Sequence, residues 1–192
     1  MTAAGAPPAG DRAPRRILDA AIRVLVRDGT AESSLARFAD EADVSKALVH
    51  YHFHDRERLL VAVVARLGSR LRERERSAVA QGAGAQPVDL LWSWLDAEVR
   101  RGELHAVLEL GMERAERVRE AIAGVARQRR EDATITVRTT FARLGLQLRV
   151  APELVGEGWV TFVDGVVLDA GALGGARVAF DVHWLAVLGL AD

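Results

Sequence analysis

The chain has 192 residues, 49% of them hydrophobic and 28% charged, with a net charge of −1. That balance supplies a sizeable core and excludes a disordered chain, and no apolar run reaches the roughly eighteen residues of a membrane span. With no cysteine there is neither a disulfide framework nor a thiolate metal site, and a reducing, cytoplasmic setting suits it.

Charge is unevenly spread. Residues 1–76 carry 14 Lys/Arg against 11 Asp/Glu, while residues 77–192 carry 12 against 16. A basic N-terminal part is a mild sign of a nucleic-acid-facing end. The first residues, MTAAGAPPAGDR, have no apolar h-region and read as a disordered tail over 1–12 rather than a secretory signal.

A helix is expected from Pro14, with Ile17, Ala20, Ala21, Val24 and Leu25 on one face and Gly29 as its left-handed stop. A second is capped by Ser33 or Ser34 and turns Leu35, Phe38, Ala39 and Ala42 inward. After a tight turn at Asp43-Val44, a third starts at the Ser45 cap, with Val49 and Phe53 facing inward. Ala47, Leu48 and Tyr51 then point outward, flanked by Lys46 and His50. Exposed Leu and Tyr suit base edges and thymine methyls better than water. Two short helices joined this way form a helix-turn-helix.

Asp55 caps a long fourth helix, apolar in its first turns and charged later, which Gly82 and Gly84 end. In that charged part Glu73 and Glu75 read as a solvated face. Further helices are expected at about 87–101, 103–114, 116–146, 153–172 and 177–190, with no strand pattern. The fold class is all-α: an N-terminal helix-turn-helix domain over 13–60, joined by a long helix to a C-terminal domain over 61–192.

ILDAAIRVLVRDGTAESSLARFADEADVSKALVHYHFHDRERLLVAVV resembles the N-terminal domain of TetR/AcrR-type transcriptional regulators. The resemblance rests on the ILDAA helix with its following Gly, the Ser34 cap, the A-x-V-S-K turn at 42–46, and the His50-Tyr51-His52-Phe53 cluster. It implies a homodimer that binds a double-stranded, near-palindromic operator and is released by a small-molecule effector. It further implies phosphate contacts at Ser34, His50 and Arg56, and base or backbone contacts from Arg37, Ser45, Lys46, Ala47, Leu48, Tyr51 and His52. The pattern departs in three places. Asp43 stands where the family usually has Gly and so must take a left-handed conformation, Ala36 stands where an arginine is common, and His50 replaces the usual tyrosine.

In the second domain, Trp92, Leu95, Leu108, Met112, Phe141 and Phe162 are candidates for an aromatic-lined ligand pocket, with His105, Glu109 and Asp164 as its polar groups. Plain core packing is the competing reading for each. Asp164 stands out because it interrupts the apolar run WVTFVDGVVL. The last two helices are apolar on two faces, so a symmetry mate is expected against Trp159, Val163, Val166, Val182, Leu185 and Leu188.

No nucleophile elbow, P-loop, dinucleotide fingerprint or H-E-x-x-H motif occurs, so neither an enzyme nor a cofactor is expected. The pair His50 and His54 has metal-ligand spacing, but no carboxylate joins it, and no metal site is assigned. The sequence supports a ligand-responsive repressor. Its alternatives are a helical ligand- or partner-binding protein whose head does not read DNA, and an activator of the same fold.

Overall fold

The structure, a computed structural model, describes residues 12–80, 86–169 and 175–192. The tail expected over 1–12 (apart from Arg12), the stop at Gly82 and Gly84, and residues 170–172 lie outside the described residues. The described residues form α1 (Arg12–Asp28), α2 (Leu35–Ala42), α3 (Lys46–Phe53), α4 (Arg56–Ala80), α5 (Pro87–Arg101), α6 (Glu103–Leu110), α7 (Glu116–Leu144), α8 (Pro152–Asp169) and α9 (Ala176–Leu188). The fold is all-α, and no described helix is long and apolar enough to cross a membrane.

Local chemistry sets the boundaries of the head. Ser34 and Ser45 each accept a hydrogen bond from the amide three residues on, Arg37 and Leu48 respectively, which satisfies a free N–H at the start of α2 and α3. Gly29 closes α1 at φ +75°, and Asp43 ends α2 in the left-handed region at φ 51°, ψ 55°. Arg16 donates to the carbonyl of Ala42 at 2.6 Å, which steadies that turn from α1. His54 also has a positive φ, 67°, and separates α3 from the Asp55 side chain that caps α4.

Ile17, Ala20, Ala21, Val24 and Leu25 of α1 are buried with Phe38, Ala39, Val49, Leu59 and Leu60. This apolar core runs without a break from the head into the body. A boundary at 60/61 therefore falls inside α4, and no loop hinge separates the two parts.

In the body, α4 packs on α7 and α7 on α8. A Cβ on Gly68 would lie 2.8 Å from Val125 Cγ2, and one on Gly156 would lie 2.9 Å from the Thr134 amide, so both contacts need a missing side chain. α7 ends at Leu144 because Gly145 turns left-handed at φ 70° and Leu146 donates back to the Phe141 carbonyl. α6 stops at Leu110, earlier than expected, and Gly111 donates to the carbonyls of Val107 and Leu108. The chain end is clasped: Arg149 donates to Leu190 at 2.9 Å, and Asp192 to Gln147 at 3.0 Å.

Candidate nucleic-acid interface and effector domain

The outer side of α3 exposes Ser45, Lys46, Ala47, His50 and Tyr51, with Tyr51 75% exposed. Leu48 and His52 are half-buried at its flanks. Val49 is fully buried and Phe53 packs against the core, so the helix is held by one side and offers the other. A protruding helix with a cation, small residues and an aromatic on its free face has the shape that enters a major groove.

The family profile "Bacterial regulatory proteins, tetR family" matches residues 17–63, the stretch that builds this head. The chain belongs to the TetR family. It is 28% identical over 161 residues to the HTH-type transcriptional regulator BetI of Rhizobium meliloti (strain 1021), covering 80% of this chain and 75% of that one. It is 34% identical over 84 residues to the HTH-type nicotine-responsive transcriptional repressor HdnoR of Paenarthrobacter nicotinovorans, covering 41% and 43%. The fold matches a TetR transcription regulator from Haloarcula marismortui at a TM-score of 0.76, 20% identity and 95% and 100% coverage. It also matches a transcriptional regulator from Saccharomonospora viridis in complex with choline, at 0.75, 18%, and 95% and 99%. As a TetR-family protein the chain is a DNA-binding transcriptional regulator, and its relatives are not enzymes.

Two residues that the resemblance assigned to DNA are otherwise engaged in this TetR-family head. Arg56 turns inward: its Nε and Nη2 donate to the Ser33 carbonyl and hydroxyl, each at 2.6 Å, and Nη2 reaches Glu113 at 2.6 Å. It is therefore a latch between the head and the α6–α7 turn rather than an open phosphate ligand. Arg37 pairs with Asp28 at 2.8 Å. Hydrogen bonds from Arg27, and then from Arg37, hold the Asp28 carboxyl down at about 2. Ser34 is exposed at the start of α2, where free amides favour an anion.

A ladder of arginines at one face of α4 adds to the latch. Arg66 grips Asp19 of α1 at 2.8 Å, Arg70 pairs with both Asp19 and Glu103, and Arg74 reaches Glu103 at 2.8 Å and Glu98 at 2.6 Å. These arginines lie at i, i+4 and i+8, the spacing of one helical face. The sequence stage treated this stretch only as charged, because its acidic partners are far away in the chain.

The structure does not bring the proposed pocket residues together. Met112 is 85% exposed on the α6–α7 turn, too open to line a pocket. His105 and Glu109 lie on α6, with the Glu109 carboxylate beside Gly29 at the end of α1, and Leu108 packs half-buried on that helix. Leu95 and Phe141 are core residues. Trp92 and Phe162 edge an aromatic cluster, Trp92 packing on Phe180 at 5.3 Å and Phe162 stacking on His183 at 4.3 Å. Asp164 is neither solvated nor aimed at a cavity: it accepts a 2.7 Å hydrogen bond from Arg129, whose side chain is 7% exposed. A cavity of about 320 Å³ between α4 and α7 is lined instead by Val61, Ala65, Gly68, Arg72, Val125 and Gln128. Another of about 380 Å³, between α4 and α5, is walled by Trp94, Leu90, Ala97, Arg74 and Glu98.

The group that sequence reasoning missed is Glu75. Glu73 is exposed as expected, but Glu75 is buried. Its Oε1 accepts from the Thr136 hydroxyl at 3.2 Å and from Trp159 Nε1 at 3.4 Å. Burial raises its carboxyl to about 7, against the pull of Arg129. The signal was present: Leu67, Leu71, Glu75 and Val79 repeat every four residues, so Glu75 continues an apolar stripe.

The proposed dimer residues also divide. Trp159 and Val163 are buried in the protomer core and cannot meet a partner, and Val166 and Leu188 are half-buried. Val182 and Leu185 are open, with Leu185 70% exposed, and Val178 joins them one turn earlier. On α8, Leu154, Gly158, Thr161, Gly165 and Leu168 are exposed at steps of four and three.

Proposed function

We propose that this TetR-family regulator is a repressor that binds a near-palindromic operator as a homodimer and is released by a small-molecule effector. The observation that carries it is the exposed face of α3, with Lys46, Ala47, His50 and Tyr51 outward, on a head tied to the body through α4, the Arg56–Glu113 latch and the arginine ladder. Lys46, Ala47 and Tyr51 meet base edges. Ser34, Ser45, His50 and His52 meet backbone, with Leu48 against a thymine methyl. Two such heads need half-sites roughly 34–36 Å apart.

The dimer forms on the outer faces of α8 and α9. Leu154, Gly158, Thr161, Gly165 and Leu168 repeat at 4-3-4-3 spacing, as Val178, Val182 and Leu185 do at 4-3, the seam of a helix bundle. No Cβ-distance atom lies near Gly158 or Gly165, so a partner helix can approach closely there.

A ligand in the 61–192 body acts on α4 or the α6–α7 turn, weakens the Arg56–Glu113 latch and favours a spacing of heads that no longer fits both grooves. The repressor and ligand-responsive parts of this reading draw on HdnoR, named a nicotine-responsive repressor, and on the neighbour bound to choline. The protein works in the cytoplasm, where its DNA is. Fluorescence polarisation with DNA flanking its own gene tests it: salt-sensitive, sequence-selective binding is expected, and its absence at low salt refutes the reading. Capture of a protein partner through Tyr51 and Leu48 would then favour a head that does not read DNA.

A further inference from the structure

Glu75 lies at the centre of the body with more indole around it than packing alone requires. Trp159, which donates to its carboxylate, has Trp184 at 5.7 Å and Trp94 at 6.1 Å between ring centroids. Both of those indoles are buried, and neither Nε1 has a hydrogen-bond partner. Thr140, fully buried one turn beyond Thr136, also keeps an unpartnered hydroxyl. Each such group carries a desolvation cost of roughly 1–3 kcal/mol, so three together around a buried carboxylate mark a place where a ligand supplies the missing partners.

The chemistry of that ligand follows from what the walls offer. A carboxylate and three indole faces attract a cation, and aromatic faces accept an alkylated ammonium at little desolvation cost. The nearest internal cation, Arg129, is already held by Asp164 at 2.7 Å. Free indole N–H groups call for an oxygen acceptor. Trp94 also walls the cavity of about 380 Å³ between α4 and α5, so rotation of this one side chain joins that cavity to Glu75.

We propose that Glu75 with Trp94, Trp159 and Trp184 forms a buried site for a small alkylammonium ion that carries a hydroxyl or carboxylate oxygen. Glu75 takes the positive charge, the indole faces take the alkyl groups, and the Trp94 and Trp184 N–H groups take the oxygen. The proposal rests on the ligand-responsive reading above, and names its effector class. The charged groups facing Glu75 are Arg129 and Asp132 of α7. Asp164 of α8 reaches it through Arg129, α5 presents Glu98 (held by Arg74), and α9 presents His183 across the Trp159 ring. A bound cation favours the ionised carboxylate, so binding tightens as pH rises through about 7 and releases a proton.

The test is calorimetric titration of the full-length protein at pH 8, without DNA, with choline, tetramethylammonium and 3,3-dimethyl-1-butanol, the uncharged isostere of choline. Choline is expected to bind about tenfold or more tightly than its neutral isostere, a difference of roughly 1.4 kcal/mol. Tetramethylammonium should be intermediate, and choline should bind about tenfold less tightly to Glu75→Gln. Equal binding of choline and the neutral isostere to the wild-type protein overturns the proposal and needs no variant. So does undiminished choline binding by a folded Glu75→Gln, or the absence of binding by either cation. Because no DNA is present, a failure here leaves operator binding to be judged separately.

Discussion

Replacing Glu75 by Gln should convert a pH-dependent stability into a flat one. In the folded protein burial raises this carboxyl from an ordinary 4.5 to about 7. Between those values the folded chain holds a proton that the unfolded chain has released. The stabilisation is therefore complete below about 4.5 and is lost as pH rises through about 7. That span corresponds to roughly 3 kcal/mol, an upper figure for one buried group. Gln keeps an oxygen for Thr136 and Trp159 but cannot ionise. Its cost for an added N–H group does not depend on pH and cancels between two pH values. The other acids and His183 are common to both proteins and cancel as well. Urea unfolding of both proteins at pH 5 and pH 8, at one protein concentration, measures the effect. The stability of Glu75→Gln relative to wild type should rise by up to about 3 kcal/mol from pH 5 to pH 8, or roughly 6–12 °C in Tm for a chain of this size. The same difference at both pH values would refute the claim that Glu75 ionises in a buried site.

Lys46→Ala should weaken binding to every DNA sequence and lower the slope of log K against log salt by about 1, whereas Tyr51→Ala should weaken the operator more than random DNA; polarisation across a salt series separates them. Arg56→Ala and Glu113→Ala, measured singly and together by chemical denaturation, should couple by roughly 0.5–3 kcal/mol, while additive effects would deny the latch. Gly156→Ala should cost about 1–3 kcal/mol in thermal unfolding, since its Cβ meets Thr134 backbone at 2.9 Å. Leu185→Glu together with Val182→Glu should yield a monomer in analytical ultracentrifugation; a dimer that persists would move the interface away from α9.

Much of the head was legible in its residues because its determinants are local. Ser34 and Ser45 cap within three residues, Gly29 and Asp43 turn the backbone where they stand, and Val49 and Phe53 share a face by helical period alone. The same holds for the helices of the body, whose starts at Pro87, Glu103 and Glu116 follow from sequence. Their ends were less legible: Glu113 and Arg114 extend the pattern of α6, but Gly111 closes it.

The partners of charged residues were decided only by the tertiary structure. Arg56 reads as a phosphate ligand until Glu113, 57 residues on, claims it. Asp164 reads as a pocket carboxylate until Arg129, 35 residues back, pairs with it. Which apolar face is inside was settled the same way, Trp159 and Val163 going to the core and Val182 and Leu185 to the surface. Glu75 makes the same distinction in a single residue. Its place on the Leu67–Val79 stripe is a matter of helical period, which the sequence carries, whereas the indoles and threonine that surround it come from α5, α7, α8 and α9, which only folding brings together. Period and capping are short-range and written in neighbouring residues. Pairing and desolvation depend on groups far apart in the chain.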